Sequence, residues 1–390
     1  MRKTSKVLYY IVYVSYVNLF FSYTRLAEYL LGYLVKLGVV SDAPKSEKEY
    51  FASSAQKLYS PAQVQLALIL LQEGKIKDGL GWLKKATDLN DPQAYYQLGN
   101  IYELGLYGIK ANHELAYANY FHAAEKHSHH PSEFRLGMNY LIGGMGLSKD
   151  TALAYSFIQR AALAGDPSAQ YTLGVMYRDG NVPHQSHQTA HEIAQNKKEA
   201  FQWFRKAAAQ NFPTALTQIA SCYEHGVGVA VNYVVASQYY EKAISYQSNH
   251  LPSAQLTYAT FLHKQGKYKE ALDYYLLASG LTQANVYPSS PPIARVAKRM
   301  VAILYLDNSK DPNIPYKPKE GFDLLSDLIN TDPNDGCAHY WIGVCYEEGI
   351  PGICPIDLPQ SYKHYLISAN LDYSDSQFQV CLVNIQLVTS

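Results

Sequence analysis

The sequence predicts an all-α fold: a right-handed α/α solenoid of about eight helical hairpins with a C-terminal capping helix. Three observations carry this. An aliphatic–small–x–x–Tyr step recurs at intervals of 32 to 46 residues. A second pattern follows each first one: a small residue, a bulky pair three and four places on, and often alanine at the seventh. Proline stands ahead of the first pattern, and glycine tends to fall between the two. Repeats of this length mark stacked helical hairpins, because a single hairpin has no partner for its apolar face.

The first pattern is plainest in "SCYEHGVGV" (Ser221–Val229) and "VCYEEGIPG" (Val344–Gly352), which say nearly the same thing 123 residues apart. It occurs as Leu66-Ala67 with Leu70, Leu98-Gly99 with Tyr102, Leu136-Gly137 with Tyr140, and Leu173-Gly174 with Tyr177. Ile219-Ala220 with Tyr223, Tyr258-Ala259 with Leu262, Val301-Ala302 with Tyr305 and Ile342-Gly343 with Tyr346 complete it. The second pattern is clearest at Ala200, Trp203-Phe204 and Ala207, and returns at Ala154, Ala236 and Ala271. Spacings of three, four and seven share one helical face, so the small residues admit a neighbouring helix and the bulky pair fills the gap. Pro61, Pro92, Pro131, Pro167, Pro213 and Pro252 each precede the first pattern by five or six residues. Proline suits a first helical turn, where its missing N–H would have had no partner. Gly105, Gly144, Gly180, Gly226 with Gly228, and Gly349 mark turns where the chain needs positive φ. Ser374–Ser390 reads as the capping helix.

Composition excludes several functions. The chain of 390 residues balances 33 Lys and Arg against 33 Asp and Glu, which argues against broad binding to nucleic acid or anionic membrane. Tyr is unusually frequent, with 36 copies against 12 Phe, and suits a fold with much surface per residue because its ring buries while its hydroxyl stays wet. The five cysteines contain no C-x-x-C, so neither a disulfide framework nor a zinc knuckle is indicated.

Catalytic and metal chemistry finds little footing. His184, His187 and His191 in the insertion at residues 181–196 would share one face if helical, and three imidazoles there are the candidate metal ligands. Pro183 and the polar His/Gln composition favour a loop. His127, His129 and His130 read as capping carbonyls at a helix end. "GVGVAV" and "GGMGLS" sit at hairpin turns and lack the strand-before, helix-after setting of a phosphate-binding loop. No nucleophile–base constellation is visible, and the expectation is a protein that is not an enzyme and needs no cofactor.

At the amino end, Val7–Thr24 runs 18 residues without a charge, behind Arg2, Lys3 and Lys6. That length is the lower limit for a bilayer span, and the charge asymmetry suits a signal anchor. The competing reading is a hairpin of Val7–Thr24 with Leu26–Val40 that caps the solenoid, which leaves the protein cytoplasmic. The expected organisation is therefore an N-terminal segment, 1–45, and a solenoid, 46–390.

L-G-x-x-Y, a G-x-G turn and a distal W-F/Y-x-x-A-A together resemble the Sel1-like repeat, a relative of the tetratricopeptide repeat. "LGVMYRDG" with "AFQWFRKAAAQ" carries the likeness best; residues 62–90 and 254–280 look more like plain tetratricopeptide repeats. "PSEFRLGMNYLIGGMGLSKD" and "EAFQWFRKAA" are similar to fungal chitin-synthase activators. Adaptor subunits of the endoplasmic-reticulum ubiquitin ligase are the other relatives. The resemblance implies a non-enzymatic scaffold or adaptor that binds protein partners on a concave face. An activating subunit of a membrane enzyme such as chitin synthase is the first alternative, and a metal-binding protein built on the His-rich insertion the second. The repeat-defining residues are expected to be structural: Leu98, Gly99, Tyr102, Leu136, Gly137, Tyr140, Leu173, Gly174, Tyr177, Trp203, Phe204, Tyr223, Gly226, Gly228, Ile342, Gly343 and Tyr346.

Overall fold

The computed structural model describes residues 25–183, 189–245, 252–282, 291–307, 309 and 311–389. Among the described residues there are nineteen α-helices, no β-strand, and one isolated antiparallel bridge between Ile350 and Cys354. They form two compact units, residues 1–207 and 208–390.

The first unit holds α1 (Arg25–Lys36), α2 (Glu47–Gln56), α3 (Ser60–Gln72), α4 (Ile76–Asp88), α5 (Pro92–Leu104) and α6 (His113–His127). It continues with α7 (His130–Ile142), α8 (Thr151–Leu163), α9 (Pro167–Arg178) and most of α10 (Ala190–Ala209). The second unit holds α11 (Pro213–His225), α12 (Tyr233–Ser245), α13 (Pro252–Lys264), α14 (Tyr268–Ser279) and α15 (Pro291–Leu306). Its remaining helices are α16 (Pro318–Thr331), α17 (Gly336–Glu348), α18 (Leu358–Asn370) and α19 (Ser374–Thr389). Eight hairpins follow in order from α3/α4 to α17/α18, where the two recurring patterns lie. Helix α19 packs on α18.

Several helices begin where the sequence supplies a side-chain cap. Asp91 accepts from the amides of Gln93 and Ala94 at 2.9 and 3.1 Å, and Asp166 accepts from Ala169 at 2.7 Å. Such caps satisfy amides that have no partner inside the helix. Proline occupies the first turn of α5 and α9 behind these caps, and of α7 and α11, which begin without a side-chain cap. The first helices of three hairpins stop at Gly105, Gly143 and Gly226, all left-handed. In the α7/α8 turn the positive φ falls on Gly143 and Gly146 rather than on Gly144. A Cβ on Gly144 would instead stand 2.2 Å from the Asn139 side chain, so that glycine answers a close approach.

Ahead of the first hairpin, α1 packs on α2. The carboxylate of Glu28 pairs with Lys57 at 2.8 Å and accepts from Ser53 at 2.7 Å. Phe51, fully buried, lies against Gly32.

Candidate partner-binding site

The repeat-defining residues are drawn into the stacking of the hairpins. A Cβ on Gly99 would lie 2.5 Å from the Tyr120 ring, and one on Gly137 2.6 Å from Ile158. On Gly174 it would meet Phe204 at 2.7 Å, and on Gly343 Tyr365 at 2.8 Å. Each small residue therefore sits directly beneath the bulky residue of its own second helix. Leu136, Leu173 and Ile342 are buried beside them, as are Trp203 and Phe204, while Leu98 is half-buried.

The repeat tyrosines are half-buried, and their backbone closes the hairpin. The carbonyl of Tyr102 accepts from the amide of Asn112 at 2.8 Å, Tyr140 from Asp150 at 3.0 Å, Tyr223 from Asn232 at 2.8 Å, and Tyr346 from Asp357 at 2.8 Å. The side chains of those four acceptors' partners then cap the second helix, at Leu115, Leu153, Val235 and Gln360. Sequence reading missed this Asn/Asp, although its signal was present: an Asn or Asp nine to eleven residues after the tyrosine. Gly226 and Gly228 have positive φ in the turn between these points.

The same polar contact recurs in three hairpins, at the residue following the repeat tyrosine. Glu103 accepts from the Tyr120 hydroxyl at 2.6 Å, Glu224 from Tyr240 at 2.8 Å, and Glu347 from Tyr365 at 2.7 Å. All three tyrosine rings are buried, which with the adjoining carboxylate holds their hydroxyls well above the ordinary phenol range. Buried hydroxyls in such sites need partners, and these carboxylates supply them.

Among the cavities of the second unit, two carry exposed aromatic residues at their rims. One, of about 420 Å³, is lined by Tyr233, Val234, Phe261, Glu241, Gln265 and Lys267 among others. The other, of about 540 Å³, lies over α17; Tyr316, Tyr340, Trp341, Glu347, Glu348 and Tyr365 form much of its wall. Tyr233 and Tyr316 are about half exposed at their rims, at 49% and 58%.

Histidines sit in two groups. His129 does not cap carbonyls: its ring bonds Ser132 and Gln93, at 2.9 and 3.1 Å, and His130 pairs with Glu133 at 2.9 Å. Burial pushes His129 down to about 4. His339 and His364 face each other, nitrogen to nitrogen, at 3.0 Å, and burial with its neighbour pushes His364 down to about 4. His191 lies exposed on α10, whereas His184, His187 and Val7–Thr24 fall outside the described residues. No group of three metal-ligating side chains occurs among the described residues. No helix among them is long and apolar enough to cross a membrane.

Signature residues consumed in stacking, with varied side chains left around surface cavities, define a helical repeat protein of the binding kind. The Sel1 repeat pattern matches residues 60–91, 92–128, 130–166, 167–212, 213–245 and 338–373, more than half of the chain. The chain belongs to the Sel1 repeat family. The match takes in α3/α4, whose short turn reads as a plain tetratricopeptide repeat, and omits α13/α14 and α15/α16.

Among similar proteins, chitin synthase regulator SKT5 of Saccharomyces cerevisiae is 30% identical over 169 residues, covering 43% of this chain and 23% of the relative. Chitin synthase regulatory factor 2 of Schizosaccharomyces pombe is 26% identical over 259 residues, covering 57% of this chain and 49% of the relative. The chain thus spans half or less of the length of these relatives. A protective antigen of uropathogenic Escherichia coli with an SLR fold superposes with a TM-score of 0.62 at 19% identity, covering 92% of this chain and 79% of the other. A Sel1 repeat protein from Oxalobacter formigenes gives 0.53 at 18%, covering 86% and 90%. At these identities the two structures speak for the fold alone.

Proposed function

We propose that the protein is a non-catalytic scaffold that binds a protein partner through surfaces of its hairpins and so holds or regulates a complex. The observation that carries this is the division of labour among side chains. Repeat residues are used internally, while Tyr233, Val234 and Tyr316 stand 49%, 70% and 58% exposed at cavity rims. Exposed aromatic anchors beside concave sites are what protein partners engage. The test is capture of partners from the native extract by full-length protein, alongside Tyr233→Ala/Val234→Ser and Tyr316→Ala variants. Loss of a specific partner at unchanged melting temperature is expected. Capture indifferent to every surface substitution would sink the reading.

A second reading, an activating subunit of chitin synthase, is favoured by the fungal relatives, which are chitin synthase regulators. Chitin synthase activity should rise in membranes when the chain is co-expressed with the synthase. An unchanged rate, with no co-purification, removes this alternative. Residues 1–45 are proposed as an N-terminal segment in which Val7–Thr24 serves as a signal anchor. Carbonate extraction of the full chain and of one lacking residues 1–40 tests it: equal release of both forms refutes an anchor.

A further inference from the structure

We propose that the cavity over α17 is a docking site for a cationic side chain of a protein partner, arginine before lysine. The proposal deepens the scaffold reading and rests on it. Its starting point is the Tyr-Glu step of the α5, α11 and α17 helices. Glu103 and Glu224 each receive a second neighbour besides their tyrosine, and in both hairpins it is a cation of the following first helix. Arg135 on α7 stands 3.2 Å from Glu103, with Asn139 also donating at 3.2 Å, and Lys264 on α13 donates to Glu224 at 3.0 Å.

The third carboxylate has no such neighbour among the described residues. The helix that follows it, α19, contains no lysine, arginine or histidine in its whole length. Register shows what took their place. Ser132 and Ser376 are both fully buried near the start of their helices, and both donate their amide three residues back. Counting from them, Gln379 falls where Arg135 stands and Val383 where Asn139 stands. A carboxylate offers about four acceptor positions, and the Tyr365 hydroxyl fills one of those on Glu347.

The space a cation would take is present. The cavity of about 540 Å³ has Glu347, Glu348 and Asp307 in its wall and no basic residue among the described ones. Tyr316, Tyr340 and Trp341 offer aromatic faces, which attract guanidinium more strongly than ammonium because the planar group also stacks. Leu306, Val344 and Ile350 provide an apolar lining for the methylene stem of the incoming side chain. Aromatic side chains, an apolar lining and a carboxylate short of its cation fit one occupant: a basic side chain.

The test uses the full chain carrying 5-fluorotryptophan, so that Trp341 reports on the cavity while Trp82 and Trp203 serve as references. The probes are Ac-Gly-Arg-Gly-NH2, its lysine analogue, and the citrulline analogue, which is isosteric with arginine but uncharged. Saturable movement of the Trp341 fluorine signal is expected with arginine, a weaker response with lysine, and none with citrulline. Glu347→Gln keeps an acceptor for Tyr365 and should weaken arginine binding roughly tenfold or more, the loss of one charge-assisted contact. Gln379→Arg should do the same by supplying the internal cation that Arg135 supplies to Glu103. The proposal is overturned by an equal response to citrulline, by no response to arginine, or by unaltered affinity in both variants. None of these outcomes depends on the partner, so they leave the extract-capture test of the scaffold reading untouched.

Discussion

Among the glycines inside α-helices the closest approach is at Gly99, and a matched pair of substitutions tests it. Gly99 in α5 and Gly81 in α4 are both interior helical glycines, so alanine should raise helix propensity at each by about 0.5–1 kcal/mol. They differ in what the new methyl meets. At Gly81 nothing lies within 4 Å, whereas at Gly99 three atoms of the Tyr120 ring lie at 2.5, 2.6 and 2.9 Å. That ring cannot yield cheaply, because it is fully buried and its hydroxyl is tied to Asn100 at 2.8 Å and to Glu103 at 2.6 Å. Overpacking of this kind costs about 1–3 kcal/mol. Gly81→Ala should therefore stabilise by about 0.5–1 kcal/mol, and Gly99→Ala should destabilise by up to roughly 2.5 kcal/mol after its propensity gain is subtracted. Urea unfolding followed by circular dichroism gives the global values. Hydrogen exchange in α5 and α6 localises the effect, since hairpins of an array open with partial independence. If Gly99→Ala stabilises as Gly81→Ala does, the close approach of α5 and α6 is not what that glycine serves.

Other outcomes follow from the same contacts. Tyr120→Phe leaves Glu103 and Asn100 without their phenol donor and should cost about 1–2 kcal/mol, read in the same urea assay. Asp166→Ala removes the cap on the Ala169 amide and should cost about 1 kcal/mol, with faster exchange confined to the first turn of α9. His129 and His364 are held near 4 when folded, against about 6.5 when unfolded, so the unfolded chain takes up their protons first. Stability should be full above pH 6.5 and fall as pH drops toward 4. Allowing for the partial solvation of both rings, the loss by pH 5 is roughly 1 kcal/mol each. A His129→Gln/His364→Gln variant should show a flatter profile between pH 6.5 and 5; an identical slope would exclude these two groups as its source.

The array was legible in the sequence because each repeat solves one local problem with the same residue types. Leu136-Gly137 and Ile342-Gly343 need a small residue under a bulky one, and that requirement writes a period into the chain. Proline and glycine recur for similarly local reasons, at the first turn and where φ turns positive. Less visible was the role of Asn112, Asp150, Asn232 and Asp357, whose spacing from the tyrosine varies from nine to eleven residues and so escapes a fixed template. The role of His129 escaped sequence reading for a different reason. His129 lies at the junction of α6 and α7, and its partner Gln93 is 36 residues away, a contact that only packing creates.

The sequence by itself determined the fold class, the hairpin boundaries and the family, since helical periodicity, capping and close helix approach are short-range demands. Tertiary structure alone decided which carboxylate is answered by a cation. Glu103, Glu224 and Glu347 follow the same tyrosine in the same motif and look alike in sequence. Their difference lies in Arg135, Lys264 and Gln379, which stand 32 to 40 residues further on and meet them only when the next helix packs. Charge pairing depends on distances of a few ångströms in space, and the one-dimensional spacing of residues does not carry that information.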